Sequence, residues 1–127
     1  MSRRRIILLV DPEPAASYMI TMILKLHHFD VVPYSDPELA LSDFEKGLYD
    51  LILMDLDMKG MNGFELYKRM RQIDDKVHVC FMKDLRAGHL DEFKTSFPDF
   101  PSTSLTEKPV GTDDVLEILR WNIVDNK

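Results

Sequence analysis

The chain has 127 residues, of which 45% are hydrophobic and 30% charged, and its formal net charge at neutral pH is -6. Such a length and composition are typical of one globular domain, and the acidic balance argues against direct binding of nucleic acids. Cys80 is the single cysteine, which fits a reducing compartment. No apolar run reaches membrane-spanning length, and the run after Arg5 is too short for a secretory leader. We therefore expect one cytoplasmic domain over residues 1–127, with no membrane contact.

Short apolar runs that suit strands buried on both faces recur along the chain. The first, Ile6–Val10, ends on Asp11, and a later one at residues 51–54 ends on Asp55. Three further strands are predicted at Asp30–Tyr34, at residues 77–82 and at residues 102–106. Pro33 indicates that the strand Asp30–Tyr34 lies near an edge of the sheet.

Segments with helical spacing of apolar residues separate these strands. Helices are predicted at residues 15–28, from Pro37 to a stop at Gly47 with Ser35 or Asp36 as cap, at Gly63–Ile73, at residues 85–97, and after a cap at Thr112. The apolar positions are Met19, Met22, Ile23 and Leu26 in the first helix, Leu39, Ala40, Leu41 and Phe44 in the second, and Val115, Leu116, Leu119 and Ile123 in the last.

The regular alternation of strands and helices predicts an α/β fold, a three-layer (βα)5 doubly wound sandwich with a five-stranded parallel sheet. Right-handed crossovers place the carboxyl ends of parallel strands on one rim. We therefore expect the polar residues that follow the strands to meet there, namely Asp11, Glu13, Asp55, Asp57, Lys83, Asp84 and Lys108.

Carboxylates crowded in one crevice repel each other, and a hard cation such as Mg²⁺ relieves that repulsion by taking one or two carboxylates, waters and a phosphate oxygen. An aspartate carboxylate can also attack phosphorus, and an ammonium such as Lys108 neutralises the transferred oxygens. The residues thus indicate a Mg²⁺-assisted phosphoryl acceptor with Asp55 as the attacked group. Taken alone, Asp55 could also simply cap the next helix.

Residues 8–11 and 50–55, Met58 with Gly60-Met61-Asn62-Gly63, and the pair Lys108-Pro109 together resemble a response-regulator receiver domain of the CheY-like type. The resemblance implies a flavodoxin-like fold and transfer of a phosphoryl group to Asp55 from a histidine kinase or phosphotransfer protein. It assigns phosphate binding to Lys108, and Mg²⁺ binding to Asp11, Asp55 and the backbone carbonyl of Asp57.

The resemblance further implies a stand-alone signalling module that is not an enzyme. It would act on a downstream protein partner through the last two helices and the last strand, a surface that could also mediate a homodimer.

Four positions depart from the family pattern, and the mildest departure is Lys59, which replaces a proline. Pro12 stands where the family has a second acid, and Glu13, one place later, is the alternative metal ligand. Lys83 replaces a small hydroxyl residue of the phosphorylation switch, and Leu105 replaces the switch aromatic. The Lys83 ammonium either pairs with a crevice acid or points to solvent.

Two other interpretations remain open. The departures favour a pseudo-receiver, which would have the same fold but bind its partner without phosphorylation. Residues 54–57 also resemble the two-aspartate signature of small haloacid-dehalogenase-type phosphatases, in which Asp57 would serve as general acid and base. That interpretation would require an acid pair directly after the last strands, and none stands there.

Overall fold

The computed structural model of the protein describes residues 4–83, 105–107 and 111–120, and at Lys83 and residues 105–107 it describes the main chain alone. The strands are β1 (Ile6–Val10), β2 (Asp30–Tyr34), β3 (Leu51–Asp55), β4 (Val79–Lys83) and β5 (Leu105–Glu107). The helices are α1 (Pro14–Leu26), α2 (Pro37–Ser42), α3 (Gly63–Ile73) and α4 (Thr112–Leu119). The helix predicted over residues 85–97 lies outside the described residues.

The strands form one parallel sheet in the order β2-β1-β3-β4-β5. The edge position predicted for β2 from Pro33 is confirmed. From β1 the chain goes first to β2 on one side and then crosses to β3 on the other, so the strand order reverses between β1 and β3. In open α/β sheets, ligands bind at the carboxyl ends of the strands that flank such a reversal.

Alternating side chains of the strands build two apolar layers, as predicted for strands buried on both faces. One layer packs the strands against α1 and α4 through Ile7, Leu9, Leu51, Leu53, Cys80 and Met82. The other packs them against α2 and α3 through Leu8, Val10, Ile52, Met54, Val79 and Phe81. The predicted three-layer arrangement is therefore confirmed. Within the described residues, none of the helices is both long and apolar enough to span a membrane.

The buried face of α1 differs from the predicted one. Its sheet-facing residues are Ile20, Ile23 and Leu24. Met19, Met22 and Leu26, which share a helical spacing with Ile23, are exposed instead. The prediction was wrong at these three positions because two apolar stripes run along α1, and periodicity alone does not say which of them the sheet covers.

Two other helices show the same kind of shift. In α4, Ile118 is buried and Leu116 is exposed, whereas the predicted inner face contained Leu116. In α2, Leu39 is exposed although it was assigned to the inner stripe. The residues that are buried as predicted are Ala40, Phe44, Val115 and Leu119. Helix α2 is shorter than predicted, because it ends at Ser42 and not at Gly47.

Helix ends follow the capping chemistry of their side chains. An Asp36 carboxylate oxygen accepts the backbone N–H of Glu38 at 2.9 Å, which identifies Asp36 as the cap of α2. The predicted cap at Thr112 was wrong, because Gly111 precedes the helix and Thr112 is its first residue. The carboxylate of Asp114 accepts the Gly111 N–H at 2.9 Å and so satisfies this amide at the start of α4.

A buried carboxylate joins two loops at the amino ends of the strands. Asp74, which follows α3, accepts the N–H of Gly47 at 3.0 Å with one oxygen and the N–H of Lys76 at 3.1 Å with the other. The pKa of Asp74 is lowered chiefly by the bond from Gly47. The bond from Lys76 and the charges of Lys46 and Arg71 lower it further, whereas burial raises it. The loop before β3 is thereby fastened to the loop before β4.

Replacing Asp74 with Asn should lower the free energy of unfolding by about 1–3 kcal/mol at neutral pH, because an amide group can accept only one of the two N–H bonds. The pKa of Asp74 is lower in the folded protein than the ordinary 3.8. The ionised carboxylate therefore contributes stability above that value and loses the contribution as the pH falls through the folded pKa.

Urea unfolding should show that the difference in free energy of unfolding between the parent and the Asp74→Asn variant becomes smaller below pH 3.8. Asp75→Asn, at an exposed neighbouring position, serves as the control and should unfold like the parent. A difference that stays constant across this range would contradict the role given to the ionised form.

Candidate functional site

Two buried carboxylates lie at the carboxyl ends of the neighbouring strands β1 and β3. Asp11 is 0% and Asp55 is 7% exposed. Val10 and Met54 are opposite each other in the sheet, so Asp11 and Asp55 come next in register. Residues in register on adjacent strands project to the same side about 5 Å apart. Both acids therefore belong to one crevice, at the point where the strand order reverses.

Backbone amides satisfy part of this buried charge. An oxygen of Asp11 accepts the N–H of Glu13 at 2.9 Å, which folds the chain into a short turn across Pro12. The N–H of Asp57 points to a carboxylate oxygen of Asp55 at the longer distance of 3.4 Å. Donation of backbone N–H groups stabilises a carboxylate in its ionised form, which is the form that can act as a nucleophile or a metal ligand.

The loop between β3 and α3 is folded tightly against Asp55. The N–H of Gly63 donates to the carbonyl oxygen of Leu56 at 2.9 Å. A methyl group on Gly63 would lie 2.7 Å from the carbonyl oxygen of Asp55 and 3.0 Å from Cα of Leu56, so a side chain does not fit there without movement of the backbone. Gly60 has a φ of +85°, which glycine adopts without strain. The glycines had been noted in the sequence, but this contact had not been predicted.

The start of α3 is fixed by Asn62, whose side-chain oxygen accepts the N–H of Glu65 at 2.9 Å. The spacing of an asparagine three residues before a glutamate is a recognisable sign of a helix start, so the sequence did contain this signal. The Asn62 cap and the close contact at Gly63 together set where α3 begins relative to Asp55.

The carboxylate oxygens in the crevice suit a hard cation, but few carboxylates are available. The part of the chain that the structure describes contains no group of three or more His, Cys, Asp or Glu residues arranged to hold a metal. Glu13 is exposed, and it does not complete a cluster of that kind with Asp11 and Asp55. Two buried carboxylates remain, and Mg²⁺ often binds through one or two carboxylates with waters. This smaller set fits the ion. The carbonyl of Asp57 stays a predicted ligand.

Other predicted site residues are placed only in part. Lys83 ends β4 one residue after Met82, which lies opposite Asp55, so its main chain reaches the rim that carries the acids. Leu105 begins β5 opposite Phe81. The side chains of Lys83 and Leu105 lie outside the described structure, as do Asp84 and Lys108 entirely, so the assignments made for them stay predictions.

A groove of about 430 Å³ runs beside Asp11, between α1 and the end of β2. Its walls include Asp11, Pro14 and Tyr18 on one side and Pro33 and Tyr34 on the other. Tyr34 donates its hydroxyl to an oxygen of Asp43 at 2.7 Å. This bond is the largest of the causes that raise the pKa of Tyr34 to about 12. The groove is lined by residues that are distant in sequence, so no short sequence motif predicted it.

The outer face of α1 carries a continuous apolar stripe. Its members are Tyr18, Met19, Met22 and Leu26, which are between 46% and 72% exposed. Their spacing of one, four and eight residues from Tyr18 places them along one side of the helix. Because Tyr18 also lines the groove beside Asp11, the stripe is continuous with the acidic crevice. We call this set of four residues the α1 stripe.

Known proteins resemble the chain over almost its whole length. Residues 7–120 match the family model for the response regulator receiver domain. Sporulation initiation phosphotransferase F of Bacillus subtilis is 25% identical over 114 residues, which cover 90% of each chain. The transcriptional regulatory protein TrcR of Mycobacterium tuberculosis is 32% identical over 76 residues, which cover 60% of this chain.

The matched part is only 30% of the length of TrcR, so the chain spans under a third of that regulator. Among solved structures, the response regulator TrrA of Thermotoga maritima in complex with Mg²⁺ and BeF aligns with a TM-score of 0.71 and 22% identity. That alignment covers 94% of this chain and 99% of TrrA. At this level of identity the likeness concerns the fold.

Replacing Gly63 with Ala should lower the free energy of unfolding by about 1–3 kcal/mol, because the new methyl group forces Asp55 and the start of α3 apart. The comparison is Gly111→Ala, where the nearest atom would lie at 3.6 Å, so the expected cost is only that of replacing glycine with the less favoured alanine at a helix cap, under about 1 kcal/mol. Urea unfolding of both variants measures the difference. Equal effects at the two positions would contradict the tight contact at Gly63.

Proposed function

The chain belongs to the response regulator receiver domain family, whose members act in two-component phosphorelays, and on this premise we propose that Asp55 accepts the phosphoryl group. One observation carries the assignment: Asp55 is a buried acid beside a second buried acid, Asp11, where the strand order reverses. A carboxylate in that position faces the crevice where such folds bind ligands.

The chemistry is a transfer between two nucleophiles. A carboxylate oxygen of Asp55 attacks the phosphorus of a phosphohistidine on a kinase or phosphotransfer protein. The new O–P bond forms as the P–N bond breaks, and the imidazole nitrogen keeps the electron pair. Asp11, Asp55 and the Asp57 carbonyl would hold Mg²⁺, which neutralises charge on the transferred oxygens when it is bound. Lys108 remains the proposed second cation for those oxygens.

We further propose that the phosphoryl donor docks on the α1 stripe. Large apolar side chains that are exposed along one helix face commonly mark a surface for a protein partner. The stripe is continuous with the groove beside Asp11, so a protein bound there has its reactive group near Asp55. The surface formed by the last two helices and the last strand stays the predicted contact for a downstream partner.

A phosphorylation-independent pseudo-receiver is the second candidate. The observation that favours it is that Pro12 stands in place of the second acid of the family pattern, while Glu13 is exposed and forms no metal-holding group with Asp11 and Asp55. A weaker metal site would slow phosphoryl transfer. The haloacid-dehalogenase alternative loses its basis, because the family match over residues 7–120 accounts for the motif at residues 54–57.

Incubation with Mg²⁺ and a small acyl phosphate should add one phosphoryl group to the parent and none to Asp55→Asn, because only the acceptor carboxylate reacts. Intact-mass spectrometry reads the result, and Asp75→Asn is a control for loss of one exposed charge. Failure of the parent to react at any Mg²⁺ concentration would favour the pseudo-receiver. Recovery of labelling in Pro12→Asp with Lys83→Thr would then locate the cause in these two departures.

The double variant Met19→Gln, Met22→Gln should take phosphate from an autophosphorylated histidine kinase about tenfold more slowly, since two apolar contacts are worth on the order of 1–2 kcal/mol. Its labelling by a small acyl phosphate should match that of the parent, because the small donor needs no docking surface. Leu39→Gln, on the exposed side of α2, is the matched control. Equal losses with both donors would mean that the stripe supports folding instead of docking.

A further inference from the structure

A second polar cavity lies at the opposite edge of the sheet, where the strands begin. It has a volume of about 320 Å³, and its floor is formed by the buried residues Tyr49 and Val77. The five residues of β3 separate this edge from the acidic crevice, which corresponds to about 16 Å. The cavity is therefore distinct from the site of phosphoryl transfer, and both can be occupied in the same molecule.

Three permanent cations from three separate segments line this cavity. Arg5 precedes β1, Lys46 belongs to the loop before β3, and Lys76 belongs to the loop before β4. Within the described ranges, none of the three forms a salt bridge with another residue. These three cations outnumber the two carboxylates of the lining, Asp50 and Asp74, although acids outnumber bases by six in the whole chain.

The two carboxylates of the cavity are already engaged by the main chain. Asp50 accepts the N–H of Ile6 at 2.8 Å, and Asp74 accepts the N–H groups of Gly47 and Lys76. These bonds occupy carboxylate oxygens that could otherwise pair with the basic side chains of the lining, although the charge of Lys46 still acts on Asp74.

The same hydrogen bonds hold the three cations in place. Arg5 directly precedes the clamped amide of Ile6, Lys46 directly precedes that of Gly47, and the third clamped amide is that of Lys76 itself. The main chain at each basic residue is thus fixed before any ligand arrives, which lowers the entropy lost when the side chains order around an anion.

We propose that this cavity binds a small, multiply charged phosphate anion of the pyrophosphate type, with Arg5, Lys46 and Lys76 as its ligands. Three cations converging from fixed loops match an anion that carries several negative oxygens. With three cations against two carboxylates, the lining carries a net positive charge that favours an anion over a cation, and an apolar ligand would leave the charged rim unsatisfied. Binding there also joins the three segments and stabilises the folded state through mass action.

In the test, pyrophosphate is titrated into the ¹⁵N-labelled Asp55→Asn variant at low salt and without Mg²⁺, and binding is monitored by the amide chemical shifts. We expect saturable shifts centred on Ile6, Gly47 and Lys76, with a dissociation constant on the order of 1 mM. Lys46→Gln with Lys76→Gln should weaken binding about tenfold. The matched control, Lys25→Gln with Lys68→Gln, removes the same charge from exposed positions on α1 and α3 and should bind like the parent.

Shifts that rise without saturation, that centre on other basic residues, or that weaken equally in the two double variants would overturn the proposal. Each would mean that pyrophosphate responds only to overall charge. Because the titration contains no phosphoryl donor and lacks the Asp55 carboxylate, its outcome does not depend on whether Asp55 is phosphorylated.

Discussion

The burial of two carboxylates side by side is the constraint on which the site depends. Asp11 and Asp55 end neighbouring strands where the chain changes direction across the sheet, and neither can be moved away from the other without breaking the pairing of β1 with β3. Burial of like charges is costly unless hydrogen bonds or a cation compensate. The N–H groups of Glu13 and Asp57, which point to these carboxylates, offset part of that cost.

The sequence allowed the layers of the fold to be predicted, because their signals are local. A run such as Ile6–Val10 has no polar face to expose, so it can only be a central strand, and an acid that follows it can only lie on the rim. Rotation of the helices was predicted less well. In α1 both Met19 and Ile20 are apolar, and only the packed structure decides which of them the sheet covers.

The candidate site was predicted in part for a similar reason. Asp55 and the glycines after it lie in one short segment, so their chemistry could be inferred from spacing. The groove beside Asp11 and the clamp at Asp74 join residues that are far apart in the chain, such as Gly47 and Asp74. No local pattern marks such a contact, because the partners become neighbours only after the sheet has formed. The positions of the Lys83, Leu105 and Lys108 side chains remain predictions.

Backbone meets backbone where Gly63 touches the carbonyl of Asp55, with no flexible side chain between them to absorb a displacement. Helix α3 begins at this contact and runs for 11 residues to Ile73, next to Asp74, a length of about 16 Å. The helix therefore links the backbone of Asp55, at one edge of the sheet, to the carboxylate that fastens two loops at the other edge.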